Sequence, residues 1–353
     1  MNRTMSKGKQ IRSSGHRRGF TLVELLVVIA IIGLLVGLTV PAVLSAINTF
    51  DKGAVKFEVQ ALNDAIENYR SKHGDYPPDG SSWPIMERHI RKAFPNAINT
   101  EFAILNPTNG AQLDPAEALV FFLGGFSTDA QRPFTGKGGP IVNMGTMAVP
   151  IYRYNGSREN ALYEFPSGRL SLTQESNGLI SSDETVFAGV AGDVFPVFLA
   201  KNTTIELGAP YVYFDSRTYM FNRGTTASPI YNLYQPSNVT STTAVNSPRG
   251  DKGAVRPHLA SVSGAGFVFE NSKTFQIITP GSDGRFGGRL FAMGAQWFTT
   301  TGQSYTLSGT NMTQDPAAAN KFELSENSGL VKLPAYDNAG NFTESKSFGE
   351  GAL

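Results

Sequence analysis

One run of apolar residues constrains this chain more than any other feature of its sequence. Residues 20–40 read FTLVELLVVIAIIGLLVGLTV, and apart from Glu24 and two threonines every one of them is apolar or glycine. As a helix, this run would rise roughly 31 Å, which is about the thickness of the hydrocarbon core of a bilayer. The sequence therefore predicts one helix that can span a membrane.

Charge on the two sides of this run is uneven. Residues 1–19 carry six basic residues and no acidic one, and taking those six from the 30 basic residues of the whole chain leaves 24 against 29 acidic ones. A basic flank predicts a cytoplasmic N-terminus, with the rest of the chain outside. The slightly acidic remainder argues against nucleic-acid binding. The basic residues are Arg3, Lys7, Lys9, Arg12, Arg17 and Arg18.

The chain contains no cysteine. Disulfides, thiolate catalysis, cysteine-ligated metal and lipoprotein anchoring are therefore excluded together. The body must be stabilised by core packing, by bound ions or by neighbouring subunits.

After the apolar run the pattern becomes amphipathic. Apolar residues recur every three or four positions up to Tyr69, and the pattern stops at HGDYPPDG, where glycines and prolines block a helix. The sequence predicts one helix of about fifty residues, apolar all round in its first half and one-sided in its second. Pro41 would kink it. The stripe expected on one side is Leu44, Ile47, Ala54, Phe57, Ala61, Ala65, Ile66 and Tyr69.

The rest of the chain reads as a globular domain. IMERHIRKAF and DPAEALVFFLGG predict short helices, with Asp114 as a cap and Pro115 at the first helical position. The runs DVFPVFLA, APYVYFDSRTYMF, GAGFVFE and KTFQIIT predict strands of a mainly antiparallel sheet. Residues 224–250 are polar and rich in turn residues, which indicates a surface loop. The predicted fold class is α+β, with the long N-terminal helix packed on the globular domain.

Glu24 needs an explanation, because a carboxylate at the centre of a membrane helix costs about 2.5–3.5 kcal/mol. No lysine or arginine lies in residues 20–40. A cation would appear if the chain were cut after Gly19, since Phe20 would then carry a free amine. Glu24 could neutralise the amine of a neighbouring helix, or its own, provided the geometry of the pair is good. The acid would then set the register between helices.

The stretch RRGFTLVELLVVIAIIG resembles the N-terminal signal of type IV prepilins and of the pseudopilins of type II secretion systems. The resemblance covers residues 17–45. It implies that a prepilin peptidase cuts after Gly19 and methylates Phe20, that Glu24 guides assembly, and that Gly33 and Pro41 soften the helix. A plain signal anchor is the alternative, and it would leave Glu24 unexplained.

The resemblance also implies an arrangement of the chain. Residues 1–19 form a leader that is removed, residues 20–41 the membrane and assembly helix, residues 42–73 its amphipathic half, and residues 74–353 an extracytoplasmic α+β domain. The implied location is the inner membrane, with a single pass, and a filament after assembly. The implied partners are the peptidase, an inner-membrane assembly platform, and other copies or pilin-like subunits.

FQIITPGSDGRFGG resembles the C-terminal loop of major pseudopilins, where a Gly-x-Asp-Gly turn helps to hold calcium. Oxygen ligands on such a turn suit a hard cation, and Ser282 and Asp283 could supply some of them. The acidic residues usual after this loop are missing, so Asp337 would have to fold back. A glycine-rich hairpin turn would explain the same residues without any metal.

The predicted function is a pilin-like structural subunit, a pseudopilin, of a type II secretion-type filament. A type IV pilin for motility, adhesion or DNA uptake is one alternative, and a membrane-anchored extracytoplasmic binding module is another. We do not expect an enzyme, because the sequence shows no catalytic constellation and its four histidines lack the spacing of a zinc site.

Overall fold

A computed structural model of the chain describes residues 20–106, 113–146, 148–172, 194–200, 210–222, 231–234, 255–263, 266–281, 286, 296–308, 311–314, 323–326, 329–332 and 339–342. The chain divides into two compact units, Met1–Thr49 and Phe50–Leu353. We call the second unit the head.

The first helix, α1, runs from Leu22 to His73 and contains Pro41. Its length follows from the uninterrupted run of residues that favour or tolerate helix, and from a defined stop. The helix ends at Gly74, whose φ of 76° lies in the left-handed region and whose N–H donates to the carbonyl of Arg70 at 2.7 Å. A glycine in this conformation is the commonest way to terminate a helix.

Within the head, one face of α1 is buried. That face carries Val55, Val59, Leu62, Ile66 and Tyr69, each less than 9% exposed. The opposite face is apolar in part, because Phe57 is 81% exposed. The prediction of a one-sided stripe that includes Phe57 is therefore wrong, since the head covers only the side on which Val55 and Val59 lie.

Three shorter helices follow. They are α2 (Trp83–Ala93), α3 (Asn99–Ile104) and α4 (Glu117–Leu123). Helix α4 begins two residues after Pro115, later than the sequence predicts, but Asp114 caps it as expected: its Oδ1 accepts the N–H groups of Ala116 and Glu117 at 2.7 and 2.9 Å. Every residue of α4 is buried, so this helix lies at the centre of the core.

The strands are short, and all the named strand pairs are antiparallel. β1 pairs with β2, β3 with β4, β6 with β7 and β12 with β13, while β9–β10–β11 and β5–β8–β14 are three-stranded sheets. The strands are β1 (Ile141–Asn143), β2 (Tyr152–Tyr154), β3 (Leu170–Ser171), β4 (Val197–Phe198), β5 (Val212–Asp215), β6 (Leu259–Ser263), β7 (Gly266–Phe269), β8 (Phe275–Thr279), β9 (Gln296–Phe298), β10 (Ser304–Ser308), β11 (Asn311–Gln314), β12 (Glu323–Glu326), β13 (Gly329–Lys332) and β14 (Ala339–Gly340).

The sheet of β5, β8 and β14 is buried on both faces. Side chains alternate along a strand, so Tyr213 and Ile277 join the core cluster that contains α1 and α4. Phe214 and Ile278 join a second cluster on the other face. A smaller cluster surrounds Trp297. The head is thus built around one sheet with apolar packing on both sides.

The predicted α+β class is confirmed. The four predicted strand segments contain β4, β5, β7 and β8. Most of the predicted loop at 224–250 lies outside the described residues. Residues 231–234 are described, and there Leu233 and Tyr234 are buried, so this segment contacts the core.

Candidate processing and assembly site

The candidate site begins at Phe20, the first residue that the structure describes; Gly19 lies outside the described residues. Phe20 is 81% exposed. From Leu22 to Val43, helix α1 is long and apolar enough to cross a membrane, and none of this stretch is buried inside the chain. It is the one such helix among the described residues. An apolar surface of this size is stable only when lipid or protein covers it.

Glu24 is bound within the first turn of α1. Its Oε2 accepts the backbone N–H of Thr21 at 2.8 Å and the hydroxyl of Thr21 at 2.9 Å. In return, the Thr21 hydroxyl oxygen accepts the N–H of Glu24 at 3.2 Å. This reciprocal pair is a capping box, which satisfies two of the backbone donors that every helix leaves unpaired at its start.

The capping box gives the carboxylate a direction. It holds Oε2 over the start of the helix, where a negative charge also suits the helix dipole. Oε1 of Glu24 takes no hydrogen bond from the part of the chain that the structure describes. The role of Thr21 was not predicted from the sequence, although the spacing Thr-x-x-Glu is a local signal of a capping box.

Gly33 and Pro41 both lie inside α1. No atom lies within 4 Å of the position that a Cβ on Gly33 would take. Pro41 has no N–H, so it removes one backbone hydrogen bond from the helix, which nevertheless continues to His73. The softening role of these two residues stays a prediction.

A polar contact fixes α1 to the head at Glu58. Arg169 donates to both carboxylate oxygens, at 2.6 and 2.8 Å, and the hydroxyl of Tyr211 donates to Oε2. The Arg169 guanidinium also lies 4.3 Å from the ring centroid of Phe198. Bidentate pairs of this kind are both strong and geometrically specific, so they set the position of the head along this part of the helix.

A second polar contact lies just after the end of α1. Arg217 bridges the side chains of Asp215 and Asp75, with N–O distances of 2.6 and 2.7 Å. Burial raises the pKa of Asp215 to about 6, although the Arg217 guanidinium opposes that rise. The neighbouring Asp79 is fully buried and accepts the N–H of Asp215 at 3.2 Å. No local sequence pattern predicts this cluster, because its members are brought together only by the fold.

The residues predicted to hold calcium, Ser282, Asp283 and Asp337, lie outside the described residues. Among the residues that are described, no group of three histidine, aspartate or glutamate side chains is placed to hold a metal ion. Calcium binding therefore stays a prediction.

Three features are typical of a pilin-like protein. The first half of α1 is apolar and exposed, its first turn carries a single acid, and its second half is bound to the head through Glu58. The family model described as the prokaryotic N-terminal methylation motif matches residues 15–40. That range contains Gly19, Phe20, Glu24 and Gly33.

Several curated proteins that are similar to this chain share one name. The type II secretion system core protein G of Pectobacterium carotovorum subsp. carotovorum is 29% identical over 128 residues, which cover 31% of this chain and 78% of that protein. The protein of the same name from Escherichia coli K12 is 37% identical over 67 residues, 19% of this chain and 46% of its own length. That from Klebsiella pneumoniae is 29% identical over 124 residues, 31% of this chain and 85% of its own length. No solved structure matches significantly.

These comparisons confirm the resemblance seen in residues 17–45 and, with it, the predicted pseudopilin class. The chain carries a prepilin-type methylation motif and is similar to core proteins of type II secretion. The alignments cover less than a third of the chain, so most of the head has no counterpart in them.

Proposed function

We propose that the chain works as a structural subunit of a type II secretion-type filament and performs no chemistry of its own. It is the substrate of a prepilin peptidase, which cuts between Gly19 and Phe20 and methylates the new N-terminus. The mature chain then assembles through helix α1, with other copies or with other pilin-like subunits, on an inner-membrane platform. The similarity to core protein G supports this proposal.

One observation carries the proposal: the first turn of an exposed apolar helix holds a carboxylate that faces the start of the helix. Oε2 of Glu24 is bound to Thr21, and Oε1 is left to accept another donor. Cleavage after Gly19 would create a cationic amine on Phe20. The amine of a neighbouring, staggered helix could then bind Oε1 while Thr21 keeps Oε2. A charge-assisted hydrogen bond of this kind compensates for the burial of both charges.

We place the chain in the inner membrane by its charge. The basic residues of the leader, residues 1–19, keep the N-terminus in the cytoplasm. Residues 20–41 cross the membrane, residues 42–73 form the amphipathic half of the helix, and residues 74–353 lie outside the cytoplasm. When the subunit leaves the membrane and enters the filament, neighbouring helices would cover the Leu22–Val43 surface that lipid covered before.

We also propose that the C-terminal loop holds calcium. Thr279 of β8 lies opposite Ala339 of β14 in an antiparallel ladder, so the chain leaves β8 and enters β14 at the same end of that ladder. Asp283 follows β8 closely and Asp337 precedes β14 closely, and both offer the oxygen ligands that calcium prefers. We expect added Ca²⁺ to raise the thermal midpoint of the wild type but not of Asp283→Ala. An unchanged wild-type midpoint would contradict calcium binding.

Two measurements test the assembly proposal. Mass spectrometry of the mature chain from cells with an active peptidase should show an N-methylated Phe20 and no residues 1–19. Glu24→Ala should be cleaved and inserted normally but should no longer enter sedimentable filaments when it is co-expressed with the platform.

Glu24→Gln is the matched control. Glutamine can serve in the same capping box but carries no charge to pair with the amine, so we expect Glu24→Gln to fail in assembly as Glu24→Ala does. Normal filaments from Glu24→Gln would show that the cap matters and the charge does not. A retained leader would contradict processing itself.

A further inference from the structure

Helix α1 begins close to the bond that the peptidase is proposed to cut. The helix starts at Leu22, and Phe20 and Thr21 precede it as non-helical residues. Phe20 is 81% exposed, so the described part of the chain leaves the mature side of the bond open to another protein. Two residues therefore separate the Gly19–Phe20 bond from the membrane helix.

The side chain of Thr21 fixes the residue at which α1 begins. In a helix that started earlier, the N–H of Glu24 would donate to the carbonyl of Phe20, four residues before it. It donates instead to the hydroxyl of Thr21, at 3.2 Å. A backbone hydrogen bond then runs from the N–H of Leu25 to the carbonyl of Thr21, also at 3.2 Å. The hydroxyl thus replaces the carbonyl that would extend the helix backwards.

The starting residue of the helix decides where the scissile bond lies. A helical residue advances the chain by about 1.5 Å and an extended one by about 3.3 Å. Each residue that joins or leaves the start of α1 therefore moves the bond by about 2 Å along the helix axis. A misplacement of about 1 Å can lower a reaction rate by about a hundredfold.

The membrane prevents a simple correction of such a shift. Sliding the whole helix to compensate would draw apolar side chains of the Leu22–Val43 segment out of lipid, which is unfavourable. The start of α1 must therefore be fixed by the chain itself.

We propose that Thr21 is a positioning residue for the processing reaction. Its hydroxyl caps α1 and so holds the Gly19–Phe20 bond at one distance from the membrane helix. In the reaction, water adds to the carbonyl carbon of Gly19, the C–N bond to Phe20 breaks, and the leaving nitrogen takes up a proton. Thr21 exchanges no atom in these steps. This inference rests on the proposed function, since it requires cleavage at that bond.

The capping box then divides two tasks between two side chains. Glu24→Ala removes the carboxylate but keeps the Thr21 hydroxyl and the N–H at position 24, so the start of the helix stays fixed. Thr21→Val removes the hydroxyl and keeps the carboxylate. Processing should therefore depend on Thr21, and assembly on Glu24.

Processing kinetics of the full precursor in detergent micelles, with purified prepilin peptidase, test this role. Thr21→Val should lower kcat by about fivefold, which is what a typical helix cap is worth. KM should hardly change, because the basic leader and the apolar span are intact. Thr39→Val is the matched control. It removes a hydroxyl that donates to the carbonyl of Leu35 further along α1, and it should be cleaved at the wild-type rate.

Two further substitutions separate a cap from a direct contact with the peptidase. Serine and asparagine are both good caps, but only serine has a hydroxyl. Thr21→Ser and Thr21→Asn should therefore both be cleaved at close to the wild-type rate. Thr21→Asn as slow as Thr21→Val, beside fast Thr21→Ser, would mean that the peptidase contacts the hydroxyl itself, and the positioning role would be overturned.

The remaining outcomes are equally decisive. Wild-type rates for Thr21→Val, or slow cleavage of Thr21→Ser, would also overturn the positioning role. If the wild type itself is not cut between Gly19 and Phe20, the proposed function fails. If the wild type is cut there and Thr21→Val is cut equally fast, the proposed function stands and only the role of Thr21 is lost.

Discussion

Thr21 gives Glu24 a role that does not depend on any neighbouring subunit. The hydroxyl of Thr21 donates to the carboxylate and accepts the N–H of Glu24, so the two residues satisfy each other's hydrogen-bonding groups in the first turn of α1. The acid therefore has a local partner before the chain meets another copy. This reduces the cost of carrying a carboxylate near the end of an apolar helix, and it leaves the second carboxylate oxygen for the contact that we propose with the amine of a neighbouring subunit.

We predict that Thr21→Val opens this first turn. Valine has nearly the same shape but no hydroxyl, so the N–H of Glu24 loses its acceptor. Amide hydrogen exchange, measured by NMR in detergent micelles, should become several-fold faster at Glu24. Thr39→Val is the matched control, because the Thr39 hydroxyl donates to the carbonyl of Leu35 at 2.9 Å within the same helix and caps nothing. Unchanged exchange at Glu24 in Thr21→Val would contradict the capping role.

Among the elements, α1 shows what a sequence can and cannot predict. Its existence and its end near His73 follow from local signals, namely the apolar run and the glycine and prolines after it. The side of the helix that the head covers does not follow from them. Phe57 and Ile66 are both apolar, but only Ile66 is buried, because the covering residues come from strands far along the chain, such as Tyr213 and Ile277.

The polar contacts of α1 with the head were unpredictable for the same reason. Glu58 meets Arg169 across 111 residues and Tyr211 across 153 residues, and no short pattern links such positions. The candidate site was more predictable, since Phe20 and Glu24 lie within one short motif. Thr21 belongs to the same motif and was accessible to local reasoning. A sequence thus predicts helices, strands and local caps. Which side of a helix is buried, and which distant residues form ion pairs with it, is decided only by the fold.

At the scale of the whole molecule, the stability of the head depends on pH through buried titratable groups. Histidines and Asp215 shift this stability in opposite directions. Burial lowers the pKa values of His89 and His258 from 6.5 to about 4. These histidines are neutral in the folded chain and bind protons on unfolding. They therefore do not lower the free energy of unfolding above about pH 6.5, and they lower it progressively as pH falls towards 4. His73, which is half exposed, adds a smaller effect of the same sign.

Asp215 acts in the opposite direction. The pKa of Asp215 is about 6 in the folded chain and 3.8 in the unfolded chain. Between these two pH values the folded chain holds a proton on Asp215 that the unfolded chain releases. The contribution of Asp215 to stability therefore decreases as pH rises through this range. Between pH 6 and pH 5, His89 and His258 therefore gain nearly two protons on unfolding and Asp215 releases nearly one, while His73 adds to the uptake. The net uptake of at least about one proton makes the free energy of unfolding fall by at least about 1.4 kcal/mol between pH 6 and pH 5.

Urea unfolding of the full chain in detergent at pH 7, 6 and 5 measures this balance. We predict a decline of at least about 1.4 kcal/mol between pH 6 and pH 5 for the wild type. Asp215→Asn removes the opposing group, so its decline should steepen to at least about 2.3 kcal/mol over the same unit, because His89 and His258 together then take up about 1.7 protons on unfolding. His89→Gln removes one of the histidines that take up a proton, so its decline should be shallower than that of the wild type. These slopes are independent of any constant loss of stability that either substitution causes. A profile that flattens in Asp215→Asn, or steepens in His89→Gln, would show that the sign assigned to that group is wrong.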